Sequence, residues 1–549
     1  MRKFKKLYYA LALAGLVVTT SCEVSELELL TSPNNVTSDS ADPSFVLNDI
    51  QLSFNGIFGG YSGPAAAITR QVNQFSTYNN VVSAPTLNGE WGSSYQLFAN
   101  IDVLEDIDAS LIEDGRDGVP YHLGVGYILE AYSYFLLVDF IGDVPYSEAV
   151  MPEEFPNPNT DPGTLVYQAQ LELLDNAIAK LNEGIQVNAP QPEDLYYTDS
   201  GFDAANWIAL ANTLKIRAYL NLGLTDPAGA AQGINSVLGS NIIDTIDEDF
   251  DFDYGTSDLP ESRHPFFTGN YLAGGAGTRM SNYFLDLLNA GDAQPPFVET
   301  GIIDPRTRYY IYRQSSSAPS GSNLPCEGEG NYDYCYVGNL YWGRDHADNE
   351  GLPNDNFLRS IYGLYPGGGA FDKDQLVQAR TLTETLGGEG ITPMFLSSFT
   401  HFALAEAALT LNTNGNALSL LQQGIRLSME KVSNFGGSAV DPEGFGMTQA
   451  DIDAYVNRVT NEYNGASPSG KLAIIAREYY LASWGNGVEP YNTLRRTGYP
   501  DVQSPIFPAG SFPRSFQYPQ TETDGNPNIS PKPLTTPVFW DNNPSGLVD

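Results

Sequence analysis

Basic residues are scarce in this chain. Its 549 residues include 27 lysines and arginines against 66 aspartates and glutamates, and the formal net charge at pH 7 is −39. Such a charge repels phosphate backbones and anionic lipid headgroups, so we expect no nucleic-acid partner and no direct adsorption to anionic lipid. Apolar residues are plentiful by contrast: they make up 42% of the chain, which is enough to build a sizeable core.

The motifs of common enzymes are also missing. None of the four histidines stands in an H-E-x-x-H arrangement, and there is neither a Gly-x-Ser-x-Gly elbow nor a phosphate-binding glycine-rich loop. Paired carboxylates, as in glycosidases, can be chosen at many places in so acidic a chain and therefore carry little information. We predict that the protein is not an enzyme and has no cofactor, apart from the calcium considered below.

Cysteine occurs only three times, and the first copy follows an export signal. A basic start, an apolar run over residues 7–18 and small residues precede Cys22. The run is too short to span a bilayer, and the cysteine resembles the lipid attachment site of bacterial lipoproteins, although Thr19 stands where leucine is usual. The acidic residues just after it resemble the signal that sends Bacteroidetes lipoproteins to the outer face of the outer membrane. We predict a signal peptide over residues 1–21 and lipid attachment at Cys22; an ordinary cleaved signal peptide is the alternative.

The other two cysteines, Cys326 and Cys335, lie in a loop rich in glycine and tyrosine. An exported protein matures in an oxidising compartment, where a local disulfide persists. A zinc site would need more ligands than these two, and no histidine flanks them closely. We therefore predict that Cys326 and Cys335 form a disulfide.

Apolar residues recur at three- and four-residue spacing towards both ends of the chain, which is typical of amphipathic helices. The predicted helices come in neighbouring pairs: 95–113 with 121–139, 164–183 with 204–223, 394–412 with 414–431, and 448–464 with 470–487. Pairs of this length indicate tetratricopeptide-like packing, although no 34-residue self-similarity is present. The predicted fold class is mainly α, with about four tetratricopeptide-like helix pairs.

Other parts of the chain lack helical periodicity. Glycine, proline, asparagine and aromatic residues dominate about 240–393, and proline is frequent over 500–549. Long irregular segments inside a compact protein are usually functional. We predict one domain over residues 22–549, with a helical scaffold at about 95–239 and 394–490. The loop-rich insertion at about 240–393 would carry the ligand face, and a proline-rich segment would close the chain.

Several stretches form a series along the chain. Residues 126–148 combine a helical pattern with the ending Gly-Asp-Val-Pro-Tyr-Ser-Glu, and the other stretches are 207–222, 343–369, 489–500 and 513–519. This series resembles the SusD/RagB family of surface lipoproteins. The resemblance implies a lipid-anchored protein on the outer membrane, facing the cell exterior, that lies as a lid over a TonB-dependent, SusC-like transporter. It also implies delivery of oligosaccharides, or in some members peptides, to that transporter.

We therefore predict a surface lipoprotein that captures an oligosaccharide or peptide and passes it to a partner transporter. Two alternatives from other classes remain open: a tetratricopeptide-like scaffold that binds protein at the cell surface, and a surface glycosidase. The sequence does not name the ligand, because the residues that determine specificity vary among members of the family.

Sugar rings present a flat C–H face to aromatic side chains and hydroxyl groups to polar ones, so we predict ligand contacts where both residue types crowd a loop. The predicted contacts are Tyr332, Tyr334, Tyr336, Tyr341, Trp342 and Arg344 around the disulfide loop, and Tyr78, Asn79, Trp91 and Tyr95 nearer the N-terminus. For the disulfide-loop aromatics, simple loop packing is the alternative. For Trp91, which starts a predicted helix, the alternative is a place in the core.

Two clusters of acidic and amide residues in the sequence could supply oxygen ligands to calcium. One group is Asp345, Asp348, Asn349 and Asp355, and the other is Asp247, Glu248, Asp249, Asp251 and Asp253. Neither follows the spacing of a helix–loop–helix calcium site, and the alternatives are a solvated turn or, for the first group, a hydrogen-bonded loop scaffold. Lys215 and Arg217 are expected to neutralise carboxylates within the helical core.

Overall fold

The computed structural model describes residues 41–184, 194–197, 203–272, 274–275, 277–289, 303–329, 332, 334–348, 355–501 and 509–544. The predicted signal peptide and Cys22 lie outside these residues. All elements described below belong to one unit, Pro43–Asp549. Helices dominate this unit, which confirms the predicted mainly α fold class.

Eleven helices of ten residues or more form the scaffold in the described part of the chain. They are α1 (Pro43–Ile68), α2 (Asn88–Glu113), α3 (Pro120–Phe140), α4 (Gly163–Glu183), α5 (Ala204–Asn221), α6 (Pro227–Val237), α7 (Ser397–Thr410), α8 (Ala417–Asn434), α9 (Gln449–Gly465), α10 (Pro468–Ala482) and α11 (Val488–Thr497). Shorter helices lie at Tyr78–Val81, Pro265–Asn270, Asn282–Leu288, Thr307–Tyr310 and Gln520–Gly525. Several long helices begin at a side chain that caps the free N–H groups of the first turn, as Asp203 does for α5 and Thr448 for α9.

The predicted helix pairs are in contact: α2 with α3, α4 with α5, α7 with α8, and α9 with α10. Helix α1 was not predicted, and it packs along both α2 and α3. Its four glycines and Pro64 lower its intrinsic helix propensity, which hid it in the sequence. It forms because it buries a stripe of side chains at helical spacing, namely Leu47, Ile50, Phe54, Ile57, Phe58 and Tyr61.

Two antiparallel ribbons organise the loop-rich region. Strand β1 (Phe250–Tyr254) pairs with β4 (Gly390–Phe395), and β2 (Ile311–Tyr312) pairs with β3 (Ile361–Tyr362). Because β1 follows α6 and β4 precedes α7, the first ribbon closes the base of the loop-rich insertion. Strand β4 also contacts α1, which brings the insertion beside the end of the first helix.

A polar network around Asp139 joins the helices at the centre of the scaffold. Asp139 is fully buried on α3 and forms a 2.9 Å ion pair with Arg217 of α5, which also pairs with the buried Glu489 of α11 at 2.6 Å. Its carboxylate also accepts hydrogen bonds from Tyr167 on α4, Asn492 on α11 and Trp540 in the C-terminal segment. Arg217 therefore neutralises core carboxylates as predicted. The expectation for Lys215 was wrong, since its 2.5 Å partner Asp175 is an exposed residue at the surface.

Helix α3 is the one helix of the described residues that is long and apolar enough to cross a membrane. Of its most apolar stretch, 89% is buried inside the protein, against helices α1, α2, α4 and α5. This burial is typical of the central helix of a protein core, and its apolar character needs no lipid to explain it.

Candidate functional site

A cleft of about 590 Å³ opens between the end of α1, the loop after it and the loop-rich region. Five aromatic side chains line it: Phe75, Tyr254, Phe266, Tyr362 and Trp484. Three amide side chains, Gln71, Asn73 and Gln74, stand on the loop that leaves α1. None of the described lining residues is an aspartate, glutamate, lysine or arginine. We call this cavity the aromatic cleft.

The back wall of the aromatic cleft is a layer of packed rings. Phe266 stacks on Tyr362 with ring centroids 3.9 Å apart and planes 6° from parallel, and Tyr362 lies 5.3 Å from Trp484. Trp484 is buried and donates a 2.9 Å hydrogen bond to the carbonyl of Tyr365, which holds the layer against the scaffold. Tyr362 is also buried, whereas Phe266 is only partly covered. Phe266 therefore offers a supported flat surface to a ligand.

Phe75 forms the opposite, more open edge of the aromatic cleft. Its side chain is 39% exposed, and the guanidinium of Arg344 lies over its ring at 5.2 Å. A bridge between Phe75 and Ala347 fixes the loop on which it stands. Phe75 is thus held in place from one side and open to solvent on the other.

His264 keeps the aromatic cleft uncharged. It caps the short helix Pro265–Asn270, with Nδ1 accepting a 3.0 Å hydrogen bond from the backbone N–H of Phe266. Burial lowers the pKa of His264 to about 3, so the imidazole is neutral at physiological pH. None of the described residues that line the cleft, His264 included, therefore carries a formal charge.

Two amide side chains that line the aromatic cleft, Asn73 and Gln74, have an oxygen without a hydrogen-bond partner. The amide nitrogens are used by the protein: Gln71 donates to the Ser483 carbonyl at 3.0 Å and Gln74 to the Ser76 carbonyl at 2.9 Å. By contrast, the side-chain oxygens of Asn73 and Gln74 are buried and accept no hydrogen bond. A buried acceptor without a partner costs free energy, which a donor on a ligand recovers. These two oxygens suit hydroxyl or amide N–H groups.

The disulfide loop is a packed unit away from the aromatic cleft. Cys326 and Cys335 are bonded, with Cα atoms 5.6 Å apart. Trp342 is 3% exposed and packs against Leu324 and Cys326, while the guanidinium of Arg359 covers its ring at 4.5 Å. Tyr332, Tyr334 and Tyr336 are partly buried around the same loop. For Trp342 the prediction of a stacking surface fails, since neither face is open; loop packing, the alternative, describes it.

Tyr341 lies elsewhere, on a separate cavity of about 630 Å³. It is 4% exposed, and the guanidinium of Arg313 lies over its ring at 4.9 Å. Arg308 and Phe445 also line this second cavity. Six ligand contacts were predicted around the disulfide loop, from Tyr332 to Arg344. Among them, Tyr341 lines one of the cavities described in this section, and the other five do not.

Arginines gather around the carboxylates of the predicted calcium loop. Asp355 forms ion pairs with Arg279 at 2.8 Å and with Arg344 at 2.9 Å, and it also pairs with Arg359. Asp345 accepts hydrogen bonds from Asn282 and from the backbone N–H of Cys335, and Arg344 lies 3.6 Å from Asp348. Asn349 lies outside the described residues. These contacts tie the loop together by hydrogen bonds and ion pairs in which Arg344 takes part, and the calcium site stays a prediction.

The second acidic group faces a cavity of about 540 Å³, which Asp247, Asp249, Asp251 and Asp253 line. Lys431 reaches Asp249 at 3.2 Å and Asp251 at 2.6 Å. Burial raises the pKa of Asp249 to about 6. Among the residues that the structure describes, no group of three or more histidine, cysteine, aspartate or glutamate side chains is arranged to hold a metal ion.

The predicted N-terminal contacts also lie outside the aromatic cleft. Tyr78 is buried with its hydroxyl 3.2 Å from Nε2 of His346, and Asn79 is exposed. Trp91 is 6% exposed and donates a 3.1 Å hydrogen bond to Glu522, in agreement with the core alternative. Tyr95 donates to the carbonyl of Pro145 at 2.9 Å.

Sequence reasoning missed the residues that do line the cleft. The nearest signal was the run Gln71-Val72-Asn73-Gln74-Phe75, where three amides and an aromatic residue follow a glycine-rich stretch. The other rings are contributed by Tyr254, Phe266, Tyr362 and Trp484, which are too far apart in the chain to form a motif.

The fold and the cleft together define a helical ligand-binding protein whose site is built from loops. One family sequence model, described as starch-binding and associating with the outer membrane, matches residues 41–325; a second, for SusD and RagB outer membrane lipoproteins, matches residues 359–529. The chain belongs to the SusD/RagB family of outer-membrane lipoproteins, as its sequence stretches indicated. Its location is the outer membrane.

Solved structures share the fold. A SusD/RagB family protein from Bacteroides thetaiotaomicron is 20% identical, with a TM-score of 0.63 over 92% of this chain and 100% of that protein. A chitin-binding SusD homologue from Flavobacterium johnsoniae is 17% identical, with a TM-score of 0.62 over 91% of this chain and 99% of that protein. A SusD homologue from Bacteroides fragilis gives the same identity, TM-score and shares. Among curated proteins no sequence matches this chain significantly.

Proposed function

We propose that this protein captures neutral oligosaccharides in the aromatic cleft and delivers them to a partner TonB-dependent outer-membrane transporter. One observation carries the proposal. In a chain with a net charge of −39, a cleft of about 590 Å³ is lined by aromatic and amide side chains and by no charged one. A charged ligand would find no counter-charge on these walls, whereas a sugar finds ring faces and free acceptors.

The chemistry of the cleft suits capture followed by release. Stacking on Phe75 and Phe266 needs little loss of side-chain entropy, because other side chains already pack against both rings. Hydroxyl groups of the ligand would donate to the free oxygens of Asn73 and Gln74. A protein that hands its ligand on must also let go, so we expect micromolar affinity, about −8 kcal/mol.

The similar proteins agree in ligand chemistry. One family description names starch, and one similar structure is that of a chitin-binding protein. Both polymers are neutral, as the lining of the aromatic cleft requires. Peptides remain the second ligand class to test, because backbone amides offer the same donors and apolar side chains can also pack on the rings.

The proposal is tested by calorimetric titration of neutral oligosaccharides, with a peptide mixture alongside, into the mature chain in detergent. Phe75→Ala is expected to weaken binding about tenfold, since it removes one stacking face. Phe445→Ala is a matched control that is expected to leave the affinity unchanged. Both phenylalanines are 39% exposed and each lies under an arginine, but Phe445 lines the cavity of about 630 Å³ beside Tyr341.

Equal affinities for wild type and both variants would remove the aromatic cleft from ligand binding. Cleavage of the sugar during the titration would instead support the glycosidase alternative. Binding of proteins with no small ligand would support the scaffold alternative.

We also propose that Cys22 carries the lipid that holds the protein on the membrane. Its support is the basic and apolar segment before the cysteine, together with membership of a lipoprotein family. Several acyl chains anchor a protein firmly, whereas one does so only marginally. Cys22→Ser is expected to move the protein into the soluble fraction or to block its maturation. The experiment uses cells without the partner transporter, because the transporter could itself hold the protein on the membrane. If Cys22→Ser still sediments with the outer membranes of these cells, the anchor is not at Cys22.

A further inference from the structure

Arg70 is a buried cation with no counter-ion among the residues that the structure describes. It lies in the turn after α1, is 2% exposed, and has a left-handed backbone conformation with φ at 66°. Within the described residues its side chain forms no ion pair and donates no hydrogen bond, and its Nε atom is fully buried without a partner. A left-handed conformation is uncommon for a residue other than glycine.

The other buried arginines of the described residues all have ion-pair or hydrogen-bond partners, so the unpaired state of Arg70 is exceptional. Eight of them pair with a carboxylate: Arg217, Arg279, Arg306, Arg313, Arg344, Arg359, Arg477 and Arg496. Arg495 instead donates hydrogen bonds to two carbonyl oxygens and to Asn492. A chain with 66 acidic residues does not lack partners for its arginines. Since burial of an unpaired charge is costly, the state of Arg70 points to a partner from outside the chain.

Two tyrosines and a histidine lie beside Arg70. Its guanidinium lies 5.9 Å from the ring centre of Tyr283, whose hydroxyl donates to the carbonyl of Asp501. Tyr480, the second tyrosine beside it, donates to the carbonyl of Thr69. Burial and the nearby charge of Arg70 lower the pKa of His346, so this imidazole is neutral, and its Nδ1 has no hydrogen-bond partner. Neither the tyrosine hydroxyls nor the histidine balances the positive charge.

We propose that Arg70 anchors an anion-binding site next to the aromatic cleft, and that it binds the carboxylate of a uronic acid residue within an oligosaccharide ligand. A carboxylate matches the planar, two-pronged donor geometry of a guanidinium. Arg70 directly precedes Gln71, whose side chain lines the cleft, so one ligand can place neutral rings in the cleft and an acidic ring at Arg70. A net charge of −39 repels anions at long range, and only a local buried cation can hold one. This inference rests on the proposed function.

The test compares two forms of one sugar. Glucuronosyl-xylotriose, which has three neutral rings and one uronic acid, and its methyl ester, which has lost the charge, are titrated into the mature chain in detergent by calorimetry. Wild type is expected to bind the acid at least tenfold more tightly than the ester. Arg70→Gln is expected to weaken binding of the acid about 10- to 100-fold and to leave binding of the ester unchanged. Arg426→Gln, which removes an arginine on α8 whose side chain is 39% exposed and pairs with Asp453, is expected to change neither.

Two further measurements separate ligand binding from a structural role. Without ligand, Arg70→Gln is expected to melt at the same temperature as wild type or higher, because it removes an unpaired buried charge. Inorganic sulfate, at ionic strength matched with chloride, is expected to raise the melting temperature of wild type more than that of Arg70→Gln.

The proposal is overturned if acid and ester bind wild type equally, if the acid binds Arg70→Gln as well as wild type, or if the acid does not bind at all. Equal effects of sulfate on both proteins would likewise overturn it. Neutral oligosaccharides report separately on the proposed function. If Phe75→Ala weakens binding of neutral oligosaccharides while Arg70→Gln does not change binding of the acid, the proposed function is supported and the anion site is refuted.

Discussion

Asp139→Ala is expected to destabilise the protein by about 4 kcal/mol or more. Four elements direct hydrogen bonds or an ion pair at this one carboxylate, through Tyr167, Arg217, Asn492 and Trp540. Removing the carboxylate leaves several buried donors without an acceptor, each at a cost of about 1–3 kcal/mol, and opens a small cavity. Since whole proteins are stable by only about 5–15 kcal/mol, the variant should be barely folded.

The measurement is guanidinium denaturation followed by far-ultraviolet circular dichroism. Asp175→Ala is the control: Asp175 also pairs with a basic residue, Lys215 at 2.5 Å, but its side chain is 64% exposed. An exposed pair contributes about 0–1 kcal/mol, so this control should unfold close to wild type. A loss below about 1 kcal/mol for Asp139→Ala would mean that the network does not hold the helices together.

Gly59→Trp is expected to abolish oligosaccharide capture without harming the fold. Gly59 lies on α1, lines the aromatic cleft, and a Cβ atom placed there would meet no atom within 4 Å. An indole at this position occupies space that the ligand needs, and we expect a loss of affinity of at least 100-fold. The expected change in stability is small, because the residue replaced is an exposed glycine inside a helix.

Gly59→Ala is the matched control. It is expected to leave the affinity unchanged and to raise stability by about 1 kcal/mol, because alanine favours a helix more than glycine does. Calorimetric titration with a neutral oligosaccharide gives the affinities, and thermal unfolding gives the stabilities. Normal binding by a folded Gly59→Trp variant would show that the ligand lies outside the aromatic cleft.

Helical periodicity revealed most of the scaffold. The predicted helices at 121–139 and 164–183, for example, correspond to Pro120–Phe140 and Gly163–Glu183. Helix α1 was missed because its glycines and Pro64 lower its local helix propensity, and contacts with other elements, chiefly α2 and α3, stabilise it. Local propensity is a weak force that tertiary packing overrides.

The binding residues were harder to predict than the helices. Trp342 and Trp91 are aromatic residues in or near loops, yet both are buried. Trp342 packs within its own loop region, against Leu324, Cys326 and Arg359. Trp91 bonds to Glu522, 431 positions away. Composition therefore identified the kinds of side chain that a sugar needs but not which of them face a ligand.

The sequence by itself determined the helical fold class, the family and the absence of a general attraction for anions, because periodicity, motifs and net charge are properties of the chain alone. Only the tertiary structure decided that Phe75 and Phe266 keep part of their surface open while Trp342 does not, and that Arg70, unlike eight other buried arginines, pairs with no carboxylate among the described residues. The physical reason is that the exposure of a side chain and its ion pairs depend on contacts between residues that the fold brings together. Packing of the whole chain determines those contacts.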